Sequence, residues 1–255
     1  MKIILNIGTH GDEKIGSKVA KEIEKLNINK KTLSVQIANR RAFDLNKRYI
    51  NQDLNRSFPG RKQGNYEQRL AYKLSPIIKS ADIVIDIHST TSNLKDTLIV
   101  TRLNKKTSEY IDVIQPEYVL IMNPTKNNAL ISKAKVGIAF EYGKDKNSTV
   151  LKKTVLGIKK LLKYLDIIDF MIPRTNIITE YFDVIASVPK PKGYKLLNNI
   201  KNYSLVKRGQ IYARNGKKIL IAGEDFYPIL FGQKNYNNIF GFRGKSIQLN
   251  KNIKK

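Results

Sequence analysis

The sequence predicts an α/β fold, a central sheet with helices on both faces, followed by a smaller β-rich domain. Three observations predict it. Apolar strand-like runs alternate with amphipathic helical segments up to about residue 168. One of these runs, ADIVIDIHS, is apolar almost throughout, as a strand covered on both faces must be. After MIPRTN the helical segments stop, and short strand-like runs are separated by Gly, Pro and Asn. The expected division is therefore 1–172 for the α/β domain and 173–255 for the β-rich one.

In chain order, KIILNI reads as a buried strand, and EKIGSKVAKEIEKL as a helix with Ile15, Val19, Ile23 and Leu26 on one face. KTLSVQIAN is a second strand. RRAFDLNKRYINQDLNRSFPG is polar and loop-like, and a loop of that length in a compact domain is usually functional or disordered. NYEQRLAYKLSPIIKS is a helix that Pro76 should break or kink. ADIVIDIHS, DTLIVT, EYVLIMN and KVGIAFEYG are strands, and a long helix runs from about Ser148 to Leu165. ITEYFDVIAS, YSLVKRGQIYA, KKILIAG and YPILFGQ supply the later β-structure, and the last eight residues, QLNKNIKK, should fray.

At 255 residues the chain is long enough for a sizeable core. It has no cysteine, which excludes disulfides, thiolate metal sites and cysteine nucleophiles. Its first apolar run ends at Gly8, too early for a signal-peptide core, and no stretch approaches the roughly 20 apolar residues of a membrane span. A cytoplasmic protein is expected. The net charge of +26 raises the question of a nucleic-acid partner. The lysines, however, are scattered along the whole chain at solvated positions, with no basic motif interleaved with aromatics, so nucleic acid is not the expected partner. A field of that sign would draw in small anions.

The chemistry concentrates in GTHGDE, which follows the first strand and opens the first helix. In open α/β sheets that carboxyl edge is where ligands bind. His10 and Glu13 are three apart, so one turn of chain aims both at one point. The only other histidine, His88, closes the strand IVIDIH. Two histidines and a carboxylate, with a fourth position open, are the donor set of a catalytic zinc site. Asp53, lying among arginines, reads as a structural partner that orients its loop.

Five segments in order resemble the succinylglutamate desuccinylase/aspartoacylase family. They are GTHGDE, ANRRAFDLNKRYINQDLNRSFPG, DIHSTTSN, VGIAFEYG and YPILFGQKNY, and together they span roughly residues 3 to 236. The resemblance implies a zinc-carboxypeptidase-like fold with a mixed central sheet. It implies one zinc ion held by His10, Glu13 and His88, with Glu141 as general base and Arg48 stabilising the oxyanion. By the same resemblance Asn55 and Arg56 hold a substrate carboxylate, Asn39, Thr90 and Thr91 line the pocket, and Tyr236 reaches over the substrate. The chain departs from the family in two places. KNNALISKAK has no arginine where relatives that prefer acidic substrates carry one before the catalytic strand, with Lys133, Lys135 or Arg102 as conceivable substitutes. Gln233 stands where the aspartoacylase branch tends to have a glutamate.

The expected function is a zinc-dependent amidohydrolase that deacylates N-acyl amino acids or similar small carboxylate-bearing amides, with a small anionic substrate as its partner. A metallocarboxypeptidase acting on short peptides shares the same residues, and a basic nucleic-acid-binding protein is the reading from another class.

Overall fold

The computed structural model describes residues 1–90, 95–173, 175–233 and 236–248. The first half alternates as expected: β1 (Ile3–Ile7), α1 (Ile15–Glu24), β2 (Leu33–Ile37), a short α2 (Arg40–Asp44), α3 (Tyr66–Ser80) and β3 (Ile83–Ile87). Then follow β4 (Thr97–Val100), α4 (Lys105–Ile114), β5 (Tyr118–Met122), β6 (Val136–Phe140) and α5 (Ser148–Tyr164). The remainder is β7 (Glu180–Pro189), β8 (Lys195–Leu196), β9 (Ile211–Asn215), β10 (Lys218–Ile221), β11 (Tyr227–Ile229) and β12 (Ile239–Ile247).

Nine strands form one mixed sheet in the order β11-β12-β7-β5-β4-β6-β3-β1-β2. β2, β1, β3 and β6 run parallel, and β4 turns antiparallel against β6. β5 and β7 continue parallel to β4, and β12 and β11 close that edge antiparallel. β8, β9 and β10 make a separate small antiparallel sheet. The expected division at 172/173 falls in the connection between α5 and β7; the later segment both extends the large sheet and builds the small one.

Alternation along each strand decides which face is packed by what. Ile3, Leu5 and Ile7 of β1, with Ile83, Ile85 and Ile87 of β3, pack under α1, α4 and α5. Ile4 and Val84 point the other way, against Ala71, Leu74 and Ile78 of α3. Each fully buried Ile or Leu contributes roughly 1.5–3 kcal/mol, and covering both faces is why these strands read as unbroken apolar runs.

Several elements differ from the sequence reading, among them the short helix α2 inside the stretch read as a loop. α4 was not expected, although Asn104 caps it by accepting from the Thr107 N–H and Tyr110, Ile111 and Ile114 form its buried stripe. β12 was likewise passed over; its glycines hide the strand pattern. Pro76 lies inside α3 without ending it, because Tyr72, whose carbonyl loses its helical partner, is on the exposed side. The expected fraying of 248–255 falls almost wholly outside the described residues. Among the described residues no helix is long and apolar enough to cross a membrane.

The loop between β1 and α1 is shaped by two glycines. Gly8 has φ +63°, which favours a residue without Cβ. Gly11 lies against the backbone of α2, where a Cβ would stand 2.1 Å from the Ala42 carbonyl carbon. The Gly11 N–H donates to the Arg48 carbonyl at 3.2 Å, so this contact also ties the first loop to the segment after α2. Gly11→Ala should therefore lower stability by about 3 kcal/mol, near the upper end for overpacking. Urea unfolding of the variant checks this, and an unchanged midpoint would contradict the close approach.

Candidate active site

β1 and β3 are neighbours in register, with Asn6 opposite Asp86 and Ile7 opposite Ile87. Their carboxyl ends therefore deliver His10 and His88 side by side, with ring centroids 5.1 Å apart. A turn closed by the Glu13 N–H to the His10 carbonyl, at 3.3 Å, brings Glu13 back to the same place. Glu13 Oε1 lies 2.7 Å from His10 Nδ1, and Oε2 lies 2.9 Å from His88 Nδ1. The Ser89 N–H donates to Oε2 at 3.1 Å and Arg48 Nη1 to Oε1 at 3.3 Å. All three side chains are buried.

The far nitrogen of each ring meets a second carboxylate. His10 Nε2 is 3.0 Å from Asp53 Oδ1, and His88 Nε2 is 2.9 Å from Asp86 Oδ2. Asp86 is itself held, its Oδ1 accepting from Asn6 Nδ2 at 2.7 Å and Thr9 Oγ1 at 2.9 Å. An N–H aimed at a carboxylate on the far side fixes the tautomer that leaves Nδ1 as a lone pair on the near side. Two such lone pairs and the Glu13 carboxylate then converge, with ligand atoms all within 4.8 Å of one another. Three acceptors facing one buried point require a cation, and His₂Glu is a donor set that zinc takes.

The same neighbours decide how readily each group holds a proton. Burial works against charge on His88, but Asp86 and Glu13 outweigh it and hold the ring well above the usual histidine range. Burial opposes charge on His10 too, and Glu13 with Asp53 raises it. Glu13 is opposed by burial yet held well below the carboxylate range by the two imidazoles. Asp53 is likewise depressed by His10, Arg56 and Arg48 against its burial.

Glu141 follows the last residue of β6, next to β3 in the sheet. Its N–H donates to the Thr97 carbonyl at 2.9 Å, while the His88 N–H donates to the Phe140 carbonyl at 2.9 Å, so the two residues emerge together. Burial, and then the Glu13 charge, pushes the Glu141 carboxyl up to about 8. Arg48 also has Nη2 3.1 Å from His10 Nε2 and 3.7 Å from Asp53 Oδ2.

Arg48 is on a long segment that a buried carboxylate organises. Glu67, at the start of α3 and 0% exposed, accepts from the backbone N–H of Ile50 at 2.7 Å, Asn51 at 2.9 Å and Gln52 at 3.2 Å. Asn39 Nδ2 donates to Glu67 at 3.2 Å, and its Oδ1 caps α2 by accepting from the Ala42 N–H. Asn39 is thus fully buried behind the site and does not line its cavity. The segment continues into a 3-10 turn, Leu54–Arg56, capped by Asp53. Asn55 Oδ1 accepts from the Leu130 N–H at 2.9 Å, and Arg56 Nη1 donates to the Asn55 carbonyl at 2.8 Å.

These elements enclose a cavity of about 730 Å³. His10, Glu13, His88, Glu141, Arg48, Asn55, Arg56, Thr90 and Tyr236 all line it. Tyr236 packs edge-on against Phe242 at 5.8 Å, and burial raises its phenol. Thr91 lies outside the described residues. Gln233 is turned toward the small sheet, accepting from the Leu196 N–H and donating to the Tyr194 carbonyl, both at 3.1 Å. Sequence reasoning missed Asp86 and Glu67. Asp86 had a signal, being an acid in an apolar strand two residues before His88 and hence on the same side. Glu67 had none beyond its place in the first turn of a helix.

Residues 1–165 match the model of the succinylglutamate desuccinylase/aspartoacylase catalytic domain. The chain belongs to this family. A protein named probable aspartoacylase from Trichodesmium erythraeum is 30% identical over 56% of this chain and 55% of its own length. An N-acyl-aromatic-L-amino acid amidohydrolase (carboxylate-forming) from Xenopus laevis is 27% identical over 92% of this chain and 90% of its own. The crystal structure of murine aminoacylase 3 superposes with a TM-score of 0.80 at 16% identity, covering 97% of this chain and 95% of that one, and so shares the fold.

The Glu141 carboxyl gives a pH prediction for the metal-free protein. Its folded value near 8 lies above its ordinary 4.5, so the unfolded chain releases this proton first, and stability falls as pH rises between the two. Metal-free Glu141→Gln should melt at a higher temperature than the parent at about pH 9 and at the same temperature at about pH 4. Equal melting curves at both pH values would show that Glu141 ionises without penalty.

Proposed function

We propose that this chain is a zinc-dependent amidohydrolase that removes the acyl group from N-acyl amino acids or similar small carboxylate-bearing amides. The observation that carries this reading is the convergence of His10, Glu13 and His88 with Glu141 and Arg48 in one cavity beside Asn55 and Arg56. Family membership and the activities named for the relatives support it. His10, Glu13 and His88 would hold one zinc ion, which when bound supplies a Lewis acid for the amide carbonyl and lowers the pKa of water.

The chain's own residues do the rest. Glu141 accepts the proton of the attacking water on its carboxylate and returns it to the leaving nitrogen. A carboxyl that burial has raised toward 8 is suited to both steps, because a cation on the neighbouring ligands brings it down toward neutrality. Arg48 cannot deprotonate and presents its fork to the oxygen that gains charge. Asp53 and Asp86 keep the two imidazoles in the tautomer and orientation the ligands need. Arg56, with the Asn55 side-chain amide, takes the substrate carboxylate, since guanidinium matches that group bidentately. Tyr236 closes over this end of the cavity, and the net charge of +26 favours approach of an anion.

Glu141→Gln should retain zinc at about one ion per chain, measured by elemental analysis, and lose roughly 10²–10⁴-fold or more in kcat on N-acyl amino acids. His88→Ala should lose the metal and the activity together. Chelation should abolish turnover, and zinc should restore it. Normal turnover by Glu141→Gln would overturn the mechanism.

A further inference from the structure

The cavity has two unlike halves. One carries the histidines and carboxylates. The other is walled by Ile99 of β4, Met122 of β5, Ala129, Ile131, Leu230 and Phe242 of β12, with Thr125 as a neutral polar member. Ala129 and Ile131 come from the segment before the catalytic strand, where the sequence lacks an arginine. The three cations that could have stood in for one are engaged elsewhere or absent from the wall. Arg102 Nη2 donates to the Ser132 carbonyl at 2.7 Å, Lys135 pairs with Asp82 at 2.8 Å, and Lys133 does not line the cavity.

Among the described residues, the cations that do line it are Arg48, Arg56, Lys144 and Lys146. Arg48 faces Glu13 and Asp53. Lys144 and Lys146 are exposed at the mouth, flanking Asp145, whose carboxylate accepts from the Lys14 and Ile15 N–H groups at the start of α1. That helix packs on the opposite face of the sheet from Ile99. Among the described residues, the apolar half therefore offers a negative group no counter-charge.

The position of this half relative to the carboxylate clamp says what enters it. Asn55 Oδ1 accepts from the Leu130 N–H, so the clamp is bonded directly to the backbone between Ala129 and Ile131. A carboxylate held on Arg56 and Asn55 places the carbon that bears it beside that wall. We propose that the substrate's amino-acid part carries an apolar side chain, received between Ile99, Met122, Ile131 and Phe242, and that Ile131 sets this preference. The inference takes the location of the carboxylate from the deacylase reading above. An acidic side chain would be stripped of water there with no cationic partner among the described residues, whereas an apolar one would gain contacts.

The test compares zinc-loaded protein on N-acetyl-L-leucine, N-acetyl-L-methionine and N-acetyl-L-phenylalanine against N-acetyl-L-aspartate and N-acetyl-L-glutamate. A second series keeps leucine and varies the acyl group from formyl to butyryl. The expected kcat/KM for the apolar set exceeds that for the acidic set by about 100-fold or more, with a weaker dependence on acyl length. Ile131→Arg should reverse the order, losing activity on leucine and gaining it on aspartate. An acidic set cleaved as well as the apolar one overturns the inference, as does strong dependence on acyl length with indifference to the side chain. Wild-type protein alone decides this, should Ile131→Arg not fold. Calorimetric binding of the same compounds to zinc-loaded Glu141→Gln separates the two readings. Tighter binding of the apolar set without turnover by the parent would sink the deacylase reading and keep the pocket. No preference in binding would sink the pocket.

Discussion

Two imidazole nitrogens and a carboxylate face one buried point, and much of the surrounding structure follows from supporting them there. The arrangement needs in-register pairing of β1 with β3, since a slip of one strand by one residue would turn its Asn6 or Asp86 to the face packed by α1, α4 and α5 and away from the other. It needs a turn tight enough to fold Glu13 back on His10, which the glycines at 8 and 11 permit. It also needs a cation. The carboxylates around the two rings raise both imidazoles above the usual histidine range, and the imidazoles in turn hold Glu13 below the carboxylate range.

Around this centre lies a layer of carboxylates whose partners are fixed. Asp86 and Asp53 each face the outer nitrogen of one histidine, and Glu67 gathers three successive backbone amides of the segment that carries Arg48, Asp53 and Asn55. Hydrogen bonds to an ionised group are each stronger than neutral ones, at about 1.5–3 kcal/mol, which is enough to hold an otherwise irregular stretch in one shape. The segment from Arg40 to Gly60 is therefore long and polar without being loose: its middle is held by one buried acid on a neighbouring helix, and its ends by α2 and by the bond from the Leu130 N–H to Asn55. Asn39 belongs to the same support, joining Glu67 to the cap of α2.

Most of the fold was legible because period-2 and period-3.6 patterns are written by burial, and burial dominates in β1, β3, β6, α1 and α5. α4 escaped because its stripe is short and its first turn is all polar, and β12 because Gly241 and Gly244 interrupt the strand pattern. That later strands would join the large sheet could not be read from local pattern at all, since pairing of β7 with β5 is a long-range choice. At the site, His10, Glu13 and His88 were legible from strand ends, and the two histidines were easy to place because the chain has no others. Asp86 was legible in principle from its spacing. Asn39 was placed with the pocket by resemblance, but only the fold reveals that both ends of its amide are already occupied.

The unlike halves of the cavity place chemistry and selectivity on different parts of the sheet. His10, Glu13, His88 and Glu141 follow β1, β3 and β6, strands that are paired in register and whose carboxyl ends lie together, while Arg48 comes from the segment held by Glu67. The apolar wall stands on β4, β5 and β12, with a short 3-10 turn between Leu130 and Lys133. Changing a residue on the wall leaves the pairing of β1 with β3 untouched, so one set of reacting groups can serve substrates of different polarity. A cation at position 131 would need a charged substrate to stabilise it in that half of the cavity, and isoleucine needs none. The same burial that raises the Glu141 carboxyl makes an uncompensated substrate charge costly a few residues away.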